Sequence, residues 1–207
     1  MPRHRRLLMD GYPYHVLNRG NRRQQIFKKA TDYQAFFAVL AEADGRFEMP
    51  IIGVCAMPNH FHIVVWPAEA AQISAYMHWV TNVHVHRYHL HYGLKGLGHL
   101  YQDRYKAFPI QDERHLYTVL RYVEGNPLRA GLVEQAEDWQ WSSLALRGTD
   151  GAFISTDRVA LPSDWSAVVN SSLENNQLQN LQTSARRERP YGDESWVETV
   201  MRKLSKK

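Results

Sequence analysis

His60-Phe61-His62 places two imidazoles two residues apart. In an extended strand alternate side chains leave on opposite faces, so His60 and His62 share one face and Phe61 takes the other. Two converging imidazoles can hold a cation. Neutral imidazole suits Mn²⁺ and other transition metals better than Mg²⁺. An isolated His-x-His is more often a pair of surface histidines. This one follows Pro58-Asn59 and lies inside an apolar run, which points to a core strand. A second group lies in Leu120-Arg121-Tyr122-Val123-Glu124-Gly125-Asn126-Pro127. At ~100° per residue, Leu116, Val119, Leu120 and Val123 line one helical face. Tyr122 and Asn126, four residues apart, are neighbours at its edge. A phenol and an amide oxygen can then reach one site. The bland reading is a half-buried tyrosine and an asparagine that ends a helix before proline. Tyr117 is the natural rival nucleophile, but on the same wheel it sits ~180° from Asn126 while Tyr122 sits only ~40° away.

These side chains need a scaffold. Tyr12 to Arg19 is rich in β formers and ends at the turn Arg19-Gly20-Asn21, so it is predicted as the first strand. Thr31-Asp32-Tyr33-Gln34 has the form of a capping box and opens a helix through Leu40. Met49–Met57 and His60–Trp66 read as two strands of a tight hairpin. A long helix is expected from Ala68 to His91, then a strand from Arg104 to Ile110. Asp112 caps a last helix, which Asn126-Pro127 stops. The order predicts an α+β fold, a ferredoxin-like (RNA-recognition-like) antiparallel sheet with helices packed on one face. Residues 1–150 form the expected catalytic domain. Residues 151–207 form a C-terminal extension, with a Ser-, Asn-, Gln- and Arg-rich linker at 170–189 and a short amphipathic docking helix from Tyr191.

The bulk composition is permissive. The chain has 207 residues, 44% of them hydrophobic, which is enough for a real core. Its net charge of +4 allows a nucleic-acid partner without requiring one. A single cysteine, Cys55, excludes an intramolecular disulfide and suits a reducing compartment. No apolar stretch approaches the length of a membrane span, so a cytoplasmic location without membrane contact is expected.

Met57-Pro58-Asn59-His60-Phe61-His62 followed by Tyr122 to Val133 (YVEGNPLRAGLV) resembles a single-tyrosine His-hydrophobic-His transposase. More closely, it resembles the REP-associated tyrosine transposases of bacteria. The resemblance runs from about Tyr14 to Ser143. It includes Asn18-Arg19-Gly20-Asn21, Gln102-Asp103-Arg104-Tyr105-Lys106 and Trp139-x-Trp141-Ser142-Ser143. It implies Tyr122 as nucleophile, and His60, His62 and Asn126 as ligands of a divalent cation, Mg²⁺ or Mn²⁺. It implies cleavage and rejoining of single-stranded DNA at repetitive extragenic palindromes folded as hairpins. Relatives act as monomers or homodimers. Two other phosphoester families that carry strand histidines fit poorly, because Val64 stands where they need a third histidine or a hydroxyl.

Basic clusters can supply the DNA contacts: Arg3, Arg5 and Arg6; Arg19, Arg22 and Arg23; Arg104 and Lys106; Arg186, Arg187 and Arg189. Tyr12, Tyr14, Trp79 and Tyr101 can stack on unpaired bases if exposed. His84, His86, His89 and His91 make a second histidine-rich stretch, expected on a polar face near DNA rather than around zinc. The alternatives are a module that binds single strands without cutting them, and a hydrolytic metal-dependent nuclease.

Overall fold

Residues 8–94, 96, 98–147, 149 and 153–205 are described in a computed structural model of the chain. Four strands, β1 (Tyr14–Arg19), β2 (Ile51–Met57), β3 (His60–Val65) and β4 (Lys106–Pro109), form one sheet in the order β2-β3-β1-β4. Every neighbouring pair is antiparallel. Helix α1 (Ala30–Asp44) joins β1 to β2, and α2 (Gln72–Tyr92) joins β3 to β4. The result is the expected ferredoxin-like βαββαβ unit. The expected cap of α1 is displaced. Asp32, rather than Thr31 and Gln34, accepts the backbone N–H groups of Lys28 (2.8 Å) and Lys29 (3.2 Å). No helix among the described residues is long and apolar enough to cross a membrane.

Both faces of the sheet are covered, not one. Val16, Val54, Ala56, Phe61, Ile63 and Ala107 pack with α1 and α2. Cys55, Met57, Val64 and Phe108 face the other way, onto α3 (Glu113–Glu124) with its Leu116, Val119, Leu120 and Val123. The sequence carried a signal of this. Met49–Met57 is apolar without alternation, the pattern of a strand buried on both sides. All seven residues of β2 are buried.

The register of β2 slips between Ile51 and Gly53. The slip is where Ile52 turns to the α3 face, which an unbroken alternation from Val54 would deny it. Gly53 itself permits the close approach of α3. A Cβ there would stand 2.5 Å from Leu120 Cδ2. Gly53→Ala is therefore expected to push α3 outward and to cost about 1–3 kcal/mol. Urea unfolding measures this; a stability equal to wild type would mean the core has room to yield.

Residues expected as a linker instead form α7 (Asn175–Arg187), which packs with α6 (Trp165–Asn170) against α3. Trp165, Val169 and Leu181 are buried in the second core. Polar composition hid a helix whose few apolar residues, Leu178, Leu181 and Ala185, fall on one face. Truncation at Asn170 would therefore strip packed side chains from α3, and is expected to destabilise the core rather than leave it intact.

The sheet edges are covered. Ala56 N–H donates to the Trp141 carbonyl at 2.9 Å, and Ile154 bridges Ile51. At the β4 edge Tyr191 bridges Ile110. Beyond it lies α8 (Glu194–Ser205), with Trp196 against Tyr12 at 5.4 Å. Covering both edges removes templates for unwanted strand pairing.

Candidate active site

Register sets which side chains meet. Arg19 pairs with His60, Leu17 with both His62 and Lys106, and His15 with Val64 and Phe108. Cross-strand partners share a face, so Arg19, Lys106, His15, His60 and His62 all stand on the α3 side. His60 and His62 thus point together, as the strand period requires, with ring centroids 4.9 Å apart.

Each histidine has a defined second contact. His60 Nδ1 lies 2.6 Å from Asn59 Oδ1, while Asn59 Nδ2 donates to the Arg23 carbonyl at 3.3 Å. The amide therefore turns its oxygen to His60, which must carry its proton on Nδ1. Nε2 keeps a lone pair for a cation. His62 is only 3% exposed, and its Nδ1 lies 2.8 Å from Nε2 of the fully buried His15.

Burial holds these imidazoles neutral. Desolvation, aided by the Arg19 charge, lowers the His60 pKa to about 4. Desolvation first, then His15, His60, Arg129 and Arg19, keep His62 well below its ordinary value. The sign follows directly. A lowered pKa keeps the lone pair available as pH falls through 6.5, the ordinary value, and loses it only near 4. If the pair holds a cation such as Mn²⁺, its affinity should therefore persist below pH 6.5, where an unperturbed histidine pair would already fail. A binding midpoint near pH 6.5 would contradict the depression by burial. The same depression costs folding stability progressively as pH drops from the unfolded value near 6.5 toward 4.

Tyr122 overhangs this pair. It is 9% exposed, and its ring lies 5.9 Å from that of His62 at 83° and 6.3 Å from that of His15. Burial raises its pKa, while Arg129 and then Arg19 pull it back. The Arg129 guanidinium carbon lies 4.5 Å from the Tyr122 ring centroid, and its Nη2 donates to the Tyr122 carbonyl. The helix breaks one residue earlier than expected. Gly125 ends α3, and Asn126 opens a short α4 (Asn126–Arg129) with Pro127 in its first turn. Asn126 Nδ2 is buried without a hydrogen-bond partner among the described residues.

The rival tyrosines stand elsewhere. Tyr117 Oη is 2.8 Å from the Ala160 carbonyl and 2.9 Å from Glu113 Oε1. Tyr101 lies on the opposite face, with Oη 2.6 Å from His84 Nδ1, and Tyr105 packs in that same core.

The family model described as "Transposase IS200 like" matches residues 9–126, more than half of the chain, including the histidine pair and the second motif as far as Asn126. The chain belongs to the IS200-like transposases. No curated protein matches it in sequence. Among solved structures it is similar to a REP-associated tyrosine transposase bound to a REP hairpin, with a TM-score of 0.59 and 20% identity. That match covers 84% of this chain and 100% of the other, and at such identity it establishes the shared fold. A candidate transposase of Deinococcus radiodurans R1 matches with a TM-score of 0.41 and 16% identity, over 60% of this chain and 96% of the other.

Within this transposase the basic clusters divide. Arg3, Arg5 and Arg6 lie outside the described residues. Arg19 is exposed beside His60, and Arg22 and Arg23 are exposed on a short turn next to Asn59. Arg104 is exposed ahead of β4. Lys106 is engaged, because Nζ donates to the Arg186 carbonyl at 2.5 Å. That hydrogen bond brings the C-terminal end of α7, with exposed Arg186, Arg187 and Arg189, to the α3 side of the sheet. Two expected stacking residues are unavailable to bases. Tyr14 is 0% and Tyr101 8% exposed, both in the first core. His84 is buried rather than on a polar face, while His91 sits near Lys29 Nζ at 2.9 Å.

Sequence reasoning missed three residues at or near the site. His15 gave no sign because its partner depends on strand register. Arg129 reaches back from the end of α4 to Tyr122, across the break at Gly125. Glu124 is fully buried. Its Oε1 accepts from Ser143 Oγ and from Arg147 Nη2 (2.6 Å), and its Oε2 from Trp165 Nε1 (2.6 Å). It ties the Tyr122 helix to β2, since Ser143 Oγ also accepts the Val54 N–H and Arg147 Nη2 donates to the Ile52 carbonyl.

A separate group, Asp112, His115 and Asp193, lies at the start of α3. Its atoms are already used. Asp112 caps the helix and accepts from His115 Nδ1 at 2.7 Å, and Asp193 pairs with Arg114 at 2.9 Å. It lies ten residues, about 15 Å along the helix, from Tyr122. We read it as the latch that docks the C-terminal extension.

Proposed function

We propose that this transposase cuts and rejoins single-stranded DNA at REP-type hairpins through a 5′-phosphotyrosine on Tyr122. The divalent cation, Mg²⁺ or Mn²⁺, is held by His60, His62 and Asn126. The observation that carries the reading is the Tyr122 ring 5.9 Å from His62, over a histidine pair whose lone pairs burial preserves. The donor set fits a cation. Two imidazoles are neutral, one has Nε2 bare, and the Asn126 side-chain carbonyl oxygen would supply the third donor. When bound, the cation neutralises developing charge on a non-bridging phosphate oxygen.

The chain's own groups do the rest. Tyr122 Oη attacks phosphorus, losing its proton to solvent. The P–O3′ bond breaks, the 3′ oxygen takes up a proton, and the phosphate remains on tyrosine through its 5′ side. Reversal by a 3′-OH rejoins the strand without another energy source, because the phosphoester is conserved. Arg129 favours the phenolate, which burial alone would suppress. The solved relative's REP hairpin supports the same class of ligand here. In this reading residues 1–150 carry the catalysis. Residues 151–207 brace α3 and present Arg186, Arg187 and Arg189.

An end-labelled hairpin oligonucleotide tests the reading. Label transferred onto the protein supports it. Soluble fragments alone indicate a hydrolase, and binding without cutting indicates a recognition module. The hairpin should bind better than the same sequence as perfect duplex. Replacing Arg186, Arg187 and Arg189 together with Gln should weaken binding and flatten its salt dependence, by about 0.7 in slope for each phosphate no longer neutralised. An unchanged slope would remove the α7 cluster from the DNA interface.

A further inference from the structure

His15 is a polar side chain in an expensive place. It is 0% exposed, the second residue of β1, between the sheet and α3. Its Nδ1 is buried with no hydrogen-bond partner among the described residues. Among the described residues its one hydrogen-bond contact is Nε2 to His62 Nδ1 at 2.8 Å. Around it stand the rings of Phe108 at 4.9 Å and Tyr122 at 6.3 Å. An unpaired buried donor or acceptor costs about 1–3 kcal/mol. An apolar residue of similar size would pack here with no such penalty. The contact with His62 is what His15 provides.

That contact has two forms. Two neutral imidazoles at this separation share one proton between them. If His15 Nε2 donates, His62 carries its other proton on Nε2 and presents N–H to the site. If His62 Nδ1 donates, His62 Nε2 is bare and becomes a ligand. A cation tolerates only the second. His60 receives the equivalent service from Asn59, whose Oδ1 fixes the proton on Nδ1.

We infer that His15 is a positioning residue, which accepts the His62 Nδ1 proton and so aims a bare Nε2 at the cation. The inference rests on the proposed metal site. It adds a member from a different strand, one that touches neither cation nor DNA. Partners that orient a ligating histidine typically contribute about 10- to 100-fold in metal affinity.

The test uses the full chain with Mn²⁺ alone, titrated by calorimetry or by the spin resonance of the free ion. His15→Leu removes the acceptor and should weaken Mn²⁺ binding about 10- to 100-fold. Its melting temperature should stay near that of the wild type, because loss of the unpaired His15 Nδ1 offsets the His62 Nδ1 left without its partner. His15→Gln places a carbonyl oxygen near the position of Nε2 and should recover most of the affinity. Nitrogen NMR of the Mg²⁺-loaded wild type should show His62 protonated on Nδ1. If His15→Leu binds Mn²⁺ like wild type while His62→Ala does not bind, the inference is overturned and the metal site stands. If His62→Ala also binds normally, the metal-site reading itself has failed. Should His15→Leu not fold, the wild-type spectrum decides. Protonation on Nε2 of His62 overturns the inference.

Discussion

Tyr122→Phe is expected to abolish the covalent protein–DNA adduct and strand joining, a fall on the order of 10⁴-fold or more. The substitution removes one oxygen and keeps the ring that packs at 5.9 Å from His62 and under the Arg129 guanidinium. Fold and hairpin affinity should therefore survive. Tyr117→Phe should leave the adduct intact, since Tyr117 Oη is occupied at the Ala160 carbonyl on the far side of α3. The measurement is a denaturing gel of labelled hairpin, with the adduct mapped by peptide mass. An adduct retained by Tyr122→Phe would overturn both the nucleophile and the geometry that selects it.

His62→Ala should have the second largest effect. A bound cation supplies several kcal/mol of transition-state stabilisation, and ~1.4 kcal/mol is tenfold in rate. Losing it predicts a fall of about 10²–10⁴-fold in cleavage. Hairpin binding should be largely retained, because the exposed arginines lie outside the histidine pair. His60→Ala should act in the same direction. Full activity of the wild type in a chelator would sink the cation's role, whatever the variants did. The cavity left by His62 lies in a packed face between Cys55, Leu17 and Tyr122, so thermal unfolding should accompany the kinetics.

Much of this site follows from local periodicity. A strand repeats every two residues, so His60 and His62 had to share a face once the hairpin was recognised. A helix repeats at 3.6, so Tyr117 had to turn away from Tyr122, while Asn126 lies past the end of α3, in α4. Turn chemistry at Pro58-Asn59 and the cap at Asp112 marked where those elements begin, and both appear in the fold. These are short-range constraints, carried by consecutive residues.

Contacts between distant segments were a different matter. Whether the histidine pair faces α1 and α2 or faces α3 depends on strand register, and register comes from packing of both faces at once. That is why His15, forty-seven positions from its partner His62, was invisible. The same holds for Glu124, whose partners are Ser143 of α5 (Ser143–Leu146), Arg147 just beyond it and Trp165 of α6. Residues 175–187 show the limit from the other side. Polar composition predicts a mobile linker, but Leu181 has a place on α3 and is fully buried there. Tertiary burial overrides a weak local preference, because isolated helices of that length are marginal until an apolar face is covered. The sequence by itself determined which residues can act together within one strand or one helix. Only the tertiary structure decided which strand face meets which helix, because that choice belongs to side chains far apart in the chain that bury one another.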